Sequence, residues 1–239
     1  IFIIGLPRSG STLLETILSD NDKINGLGEN SVINMAILNQ ISEKIFSKDF
    51  DEKSFKFSID CIKLESFVVK KFNNLFEFDK NIRFVDKTLE NFFNIDIILN
   101  LFPNAKFLHC FRNLSDAIIA IFQSLLPTLS WTHNLDDITN YIDDYLKTIN
   151  YFKNKYPDKI MNVELESLTT DSEKIAKEIF NFCNLDWDEK NFNFNKNKNL
   201  QIKTTSNVQL RNKIKKYDYD KYQHYKFILD DYKEKYEWL

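Results

Sequence analysis

A glycine-bounded turn, Gly5-Leu6-Pro7-Arg8-Ser9-Gly10-Ser11-Thr12, joins an apolar run at Ile1–Gly5 to a helical pattern at Ser11–Ser19. All four glycines of the chain (Gly5, Gly10, Gly26, Gly28) fall within its first 28 residues, so backbone freedom is concentrated around this turn. A strand that feeds a helix through such a turn aims successive backbone N–H groups, and the positive end of the helix, at one point. An anion fits there, and the hydroxyls of Ser11 and Thr12 add further donors. A purely structural strand-to-helix turn is the other reading of the same eight residues.

The pattern continues along the chain. Strands are expected at Lys23–Gly26, Ile82–Asp86, Lys106–Cys110 and Ile160–Glu164. Between them, helical spacing predicts helices at Ser31–Phe46, Ile59–Phe76, Asn91–Leu101, Ser115–Leu125, Leu135–Tyr156 and Asp171–Asn184. The stretch Asp49–Lys56 reads as a polar turn, Asp186–Gln209 as an irregular Asn- and Lys-rich segment, and Tyr217–Tyr236 as a terminal helix. Strands alternating with helices predict an α/β, three-layer fold of the P-loop type, with a central parallel sheet flanked by helices. With no internal repeat or linker, residues 1–239 are expected to form one domain. The abrupt start at Ile1 implies a truncation upstream, where a further domain is expected to have stood.

Charge narrows the partners. A formal net charge of -3 gives no general attraction to nucleic acid or to an anionic membrane, so an anion must be held by a local cluster. The longest apolar runs, such as Ala117–Phe122, are far shorter than the roughly 20 residues that span a bilayer. Three scattered cysteines (Cys61, Cys110, Cys183) read as reduced, and a cytoplasmic setting follows. The chain is rich in lysine yet holds only four arginines (Arg8, Arg83, Arg112, Arg211), which suggests that some of them serve where a planar fork is needed.

The turn has the glycine spacing of a P-loop, G-x-x-x-x-G, but Ser11 stands where kinases and ATPases carry lysine, and Arg8 supplies the charge from inside the loop. The run G-L-P-R-S-G-S-T-L-L is similar to the 5′-phosphosulfate loop of the sulfotransferases, above all the bacterial tetratricopeptide-associated group and the tyrosylprotein sulfotransferases. Further matches follow in order. Gly28-Glu29 resembles the family's glycine-glutamate pair, and Asp86-Lys87 with Asn91 its aspartate-lysine motif. Phe102-Pro103-Asn104-Ala105 and His109-Cys110-Phe111-Arg112 resemble the segment before the 3′-phosphate site. Glu166 with Leu168, and then Thr204, Ser206, Gln209 and Arg211, resemble its late motifs.

The resemblance implies transfer of a sulfuryl group from 3′-phosphoadenosine 5′-phosphosulfate, the co-substrate, to an acceptor hydroxyl, with no metal required. Pro7, Arg8, Ser9, Gly10, Ser11 and Thr12 would hold the 5′ end of the donor, and Arg112 with Arg211 its 3′-phosphate. Glu29 is implied as general base, and Lys87 and Arg8 as neutralising the bridging oxygen. Ser206 is expected to hydrogen-bond near the reacting group. Read alone, Lys87 could simply pair with Asp86 or a nearby acid, and Glu29 could be an ordinary loop carboxylate. His109, inside a strand, reads as a core histidine, and Arg83 as a surface charge. The acceptor class stays open among carbohydrate, protein tyrosine, lipid and small alcohol.

The sequence departs from the family at several points. Ala120 replaces the serine eight residues after the 3′-phosphate arginine, which removes a hydroxyl from that cradle. Leu114, Leu89 and Lys213 stand for prolines, and Leu165 for a tyrosine. Three other readings compete: a P-loop kinase or nucleotide hydrolase, a catalytically inactive nucleotide-binding protein, and a helical interaction module built on Tyr217–Tyr236.

Overall fold

A computed structural model describes residues 1–47, 58–75, 82–187 and 214–239. Five parallel strands form one sheet: β1 (Phe2–Gly5), β2 (Ile24–Gly28), β3 (Arg83–Asp86), β4 (Phe107–Phe111) and β5 (Ile160–Glu164). Their order across the sheet is β2-β3-β1-β4-β5. The chain therefore leaves β1 toward one edge and later crosses to the other, so the strand order reverses beside β1. Open α/β sheets bind ligands outside the carboxyl ends of the strands at such a point.

Alternation along the strands splits the core in two. Phe2 and Ile4 point into one apolar cluster, while Ile3, Val85, Leu108 and Val163 point into the other. The first cluster is covered by α2 (Val32–Ile45), α3 (Cys61–Leu75), α4 (Ile95–Leu101), α5 (Leu114–Ser124) and α6 (Leu135–Lys155). At its centre Phe2 stacks on Phe107 with ring centroids 5.5 Å apart and meets Phe84 edge-on at 6.0 Å. The second cluster lies under α1 (Ser11–Ser19) and α8 (Ser172–Phe182), with the short α7 (Leu165–Thr170) at the end of β5. The expected three-layer arrangement, a parallel sheet with helices on both faces, is what the chain forms.

The differences from expectation have local causes. The helix expected from Asn91 is a 3-10 turn, Leu89–Asn94, leading into α4. There the Asn91 amide donates to Asp86 (3.4 Å) and that of Asn94 to Asn34 (2.7 Å), ties that hold the tighter turn. The terminal helix expected over Tyr217–Tyr236 does not form; a 3-10 turn at Gln223–Leu229 and α9 (Asp230–Lys233) stand in its place. Tyr217 and Tyr222 both stack on the Arg112 guanidinium, at 4.9 and 5.2 Å. Five residues apart, they would lie on different faces of an α-helix. The reading of this segment as a helical interaction face falls with the helix. Arg83 is exposed as expected, but it also donates to the carbonyl of Cys183 at the end of α8. The segments Asp49–Lys56 and, from residue 188, Asp186–Gln209 lie outside the described residues, as does Lys213.

Candidate active site

The loop between β1 and α1 is held by close contacts. Gly5 (φ +141°) packs so tightly on β4 that a Cβ would sit 2.2 Å from the carbonyl oxygen of Cys110. Gly10 (φ +87°) caps α1, its carbonyl accepting from the Leu14 N–H at 3.0 Å. Between them Arg8 adopts a left-handed conformation (φ 65°), a strained state for an arginine that costs about 1–2 kcal/mol. Such strain persists where surrounding structure enforces it and clusters at ligand sites. Part of the enforcement is visible, because Arg112 Nη1 donates to the Arg8 carbonyl at 3.1 Å. Ser9 and Ser11 are buried, and Pro7 and Thr12 half-buried.

Glu29 and Lys87 emerge from the carboxyl ends of β2 and β3. The Lys87 side chain is fully buried, and its ammonium lies 3.1 Å from Glu29 Oε1. Glu29 itself is 58% exposed, so its carboxylate faces solvent beside the loop strand's neighbour. Backbone bonds fix the pair: the Lys87 N–H donates to the Gly28 carbonyl at 2.9 Å. Of the alternative partners read from the sequence, Asp86 or a nearby acid, Lys87 takes nearby acids and not Asp86. Asp86 is buried and accepts from the Thr88 N–H (2.7 Å) and Asn91, and desolvation holds its pKa above the usual carboxylate range.

The second acid at Lys87 is one whose identity the sequence reading did not give. Glu15 of α1 reaches Lys87 from the other side at 3.5 Å and accepts the Gly28 N–H at 3.0 Å. Burial raises its pKa, opposed by the charge of Lys87. The sequence offers only a hint, Glu15 being the one carboxylate in Ser11–Ser19; that α1 buries nearly every residue from Ser11 to Leu18 is seen in the structure. A charge on an otherwise buried helix requires a partner.

Arg112 leaves the end of β4. It donates through Nη2 to the Tyr217 hydroxyl at 2.6 Å, while that hydroxyl donates to Asp116. Asp116 is also 3.3 Å from the Lys226 ammonium. The C-terminal segment thus packs onto the arginine expected to meet the 3′-phosphate. Ala120 is 3% exposed within the apolar cluster. Glu166 accepts the Asn113 N–H at 2.9 Å, fixing the turn into α5. His109 is a core residue, as expected: it bonds Asn162 at 2.8 Å and Tyr145, and desolvation lowers its pKa to about 4. Ser206 and Arg211, with Thr204 and Gln209, lie outside the described residues.

The loop, Glu29, Lys87 and Arg112 therefore stand at the carboxyl ends of four adjacent strands, β2-β3-β1-β4. No described helix is long and apolar enough to cross a membrane.

Known proteins share this architecture. The sulfotransferase domain of the Synechococcus PCC 7002 olefin synthase superposes with a TM-score of 0.63 at 18% identity, covering 93% of this chain and 86% of that one. The sulfotransferase domain from the curacin biosynthetic pathway gives 0.55 at 16% identity, covering 80% of this chain and 75% of that one. A sulfotransferase of Alicyclobacillus acidocaldarius gives 0.53 at 14% identity, over 77% and 80% of the two chains. At these identities the likeness speaks for the fold. In sequence, an uncharacterized protein of Aquifex aeolicus (strain VF5) is 28% identical over 96% of this chain, which spans about a third (31%) of that relative's length. The model of the sulfotransferase family matches residues 1–189, a stretch that contains the loop and every described strand, and the chain belongs to that family.

Proposed function

We propose that the chain transfers a sulfuryl group from 3′-phosphoadenosine 5′-phosphosulfate to an acceptor hydroxyl, with Glu29 as general base. The observation that carries this reading is the meeting of Glu29 and Lys87, 58 residues apart in sequence, at 3.1 Å beside the strand that bears the loop. Sulfuryl transfer needs a held donor, an acceptor stripped of its proton, and positive charge where the bridging oxygen departs. The loop amides and Arg8 suit the first need, and an exposed carboxylate at Glu29 the second. Lys87, once Glu29 has turned toward the acceptor, suits the third. As the acceptor oxygen bonds to sulfur, the bond from sulfur to the 5′-phosphate oxygen breaks, and the acceptor proton passes to the Glu29 carboxylate. Ser206 and Arg211 are proposed to complete the site from the late motifs.

A kinase or hydrolase reading is weakened by Ser11, which occupies the position of the P-loop lysine. An inactive nucleotide-binding protein draws on Ala120. Incubation with labelled phosphosulfate donor and a panel of sugars, phenols, tyrosyl peptides and small alcohols decides between them. Transfer to any acceptor, abolished in Glu29→Gln, supports the proposal. Binding of adenosine 3′,5′-bisphosphate without transfer to any of them supports the inactive protein.

A further inference from the structure

The ammonium of Lys87 has no exposure to water and lies between two carboxylates of different standing. Glu29 is 58% exposed, whereas the Glu15 side chain is 10% exposed. A buried ammonium without a counter-charge tends to surrender its proton. Glu29 is an impermanent partner on the reading above: to take a proton from an acceptor it must turn away from Lys87. That movement leaves the ammonium with the anionic donor and whichever acid stays behind, and with that acid alone whenever the donor is absent.

Glu15 is held so that it stays. Its Oε1 accepts the Gly28 N–H at 3.0 Å, while the Gly28 carbonyl accepts the Lys87 N–H at 2.9 Å. Gly28 immediately precedes Glu29, so one carboxylate contacts both the ammonium and the turn that presents the base.

The other ionisable groups around Lys87 do not offer the same service. Asp86, next to it on β3, is engaged by Thr88 and Asn91. The Cys110 thiol on β4 is pushed up to about 12 by burial and carries no charge near neutrality. Only Glu15 of α1 and Glu29 of the loop after β2 approach the ammonium within 4 Å among the described residues.

We propose that Glu15 is a positioning residue, the standing counter-charge of Lys87 and the anchor of the Gly28 turn, which frees Glu29 to leave Lys87 and serve as base. The task of Glu29 in this inference rests on the sulfuryl-transfer reading; the pairing of Glu15 with Lys87 does not.

The test compares wild type, Glu15→Gln and Glu15→Asp, each labelled with 13C at the lysine ε-carbon. NMR titration reads the charge on Lys87, and steady-state kinetics give kcat and donor KM across the same pH range. Gln keeps the size and the acceptor for Gly28 but removes the charge; Asp keeps the charge. In Glu15→Gln, Lys87 is expected to lose its proton about one pH unit or more below its wild-type midpoint. The kcat falls about tenfold or more, donor KM stays within about threefold, and the basic limb of the pH profile moves toward neutrality. Glu15→Asp holds the Lys87 midpoint within about half a unit of wild type. The inference is overturned if Lys87 titrates alike in wild type and Glu15→Gln. It is equally overturned if Glu15→Asp shifts Lys87 as far as Gln does, because size rather than charge would then be the cause. Since the titration needs no turnover, a wild type that transfers nothing defeats the sulfuryl-transfer reading while Lys87 still decides the role of Glu15.

Discussion

Arg112 donates to the carbonyl of Arg8 across 3.1 Å, so the arginine at the end of β4 braces the strained residue at the centre of the β1–α1 loop. One guanidinium thereby couples the two ends of the proposed nucleotide site. Its planar fork also spans Tyr217 and lies 3.8 Å from Asp116, contacts that lysine cannot reproduce together. Arg112→Lys is expected to lose about 1.5–3 kcal/mol of interaction with a phosphate dianion. Calorimetry should show adenosine 3′,5′-bisphosphate binding roughly ten- to a hundredfold more weakly.

Gly5 allows β1 and β4 to meet where the loop begins. A methyl group there would lie 2.2 Å from the Cys110 carbonyl oxygen, and the backbone conformation itself disfavours any other residue. Gly5→Ala should destabilise the fold by about 3 kcal/mol, read as a lower midpoint in urea with an unchanged slope.

Removing Lys87 leaves Glu15 buried against a lost partner. Lys87→Met is expected to destabilise by about 3–5 kcal/mol near neutral pH, the scale for breaking a buried ion pair. The pH dependence has a definite sign. Burial already raises the Glu15 pKa above 4.5, and Lys87 opposes that rise. The folded state thus holds a proton there more tightly than the unfolded chain, and stability falls as pH climbs from 4.5 through the folded-state value. Without Lys87 that fall extends to higher pH. Melting curves should show wild type and Lys87→Met closer together at about pH 5 than at about pH 8.

His109 acts in the opposite sense. Its pKa falls from 6.5 to about 4 on burial, so the unfolded chain binds a proton more readily. The neutral ring's contribution is fully present above 6.5 and is lost as pH drops toward 4, an effect on the order of 3 kcal/mol. His109→Gln should melt with a shallower dependence on pH across that interval. A dependence as steep as wild type would show that another group is responsible.

How far the sequence discloses this molecule depends on the range of the interactions. Strand and helix positions were legible where apolar periodicity is strong: α1 at Ser11–Ser19 and β5 at Ile160–Glu164 form as expected. The loop was legible because only glycine suits the approach of Gly5 to β4, and Arg8 and the two hydroxyls lie beside it in sequence. Glu15 was not, because its partners, Gly28 and Lys87, are brought to it by the packing of α1 on the sheet. The 217–236 stretch was misread for the same reason: Tyr217 and Tyr222 follow Arg112, more than a hundred residues earlier, rather than helical spacing. Ion pairs between distant segments leave no period in the sequence.

The most direct measurement of the central claim is calorimetric titration of the wild-type chain with adenosine 3′,5′-bisphosphate, adenosine 5′-monophosphate and ATP with Mg²⁺. The 3′-phosphate should add about 1.5–3 kcal/mol through Arg112, so the bisphosphate is expected to bind at least about tenfold more tightly than either other ligand. Equal affinity for bisphosphate and monophosphate, or tighter binding of ATP with Mg²⁺, would contradict the account.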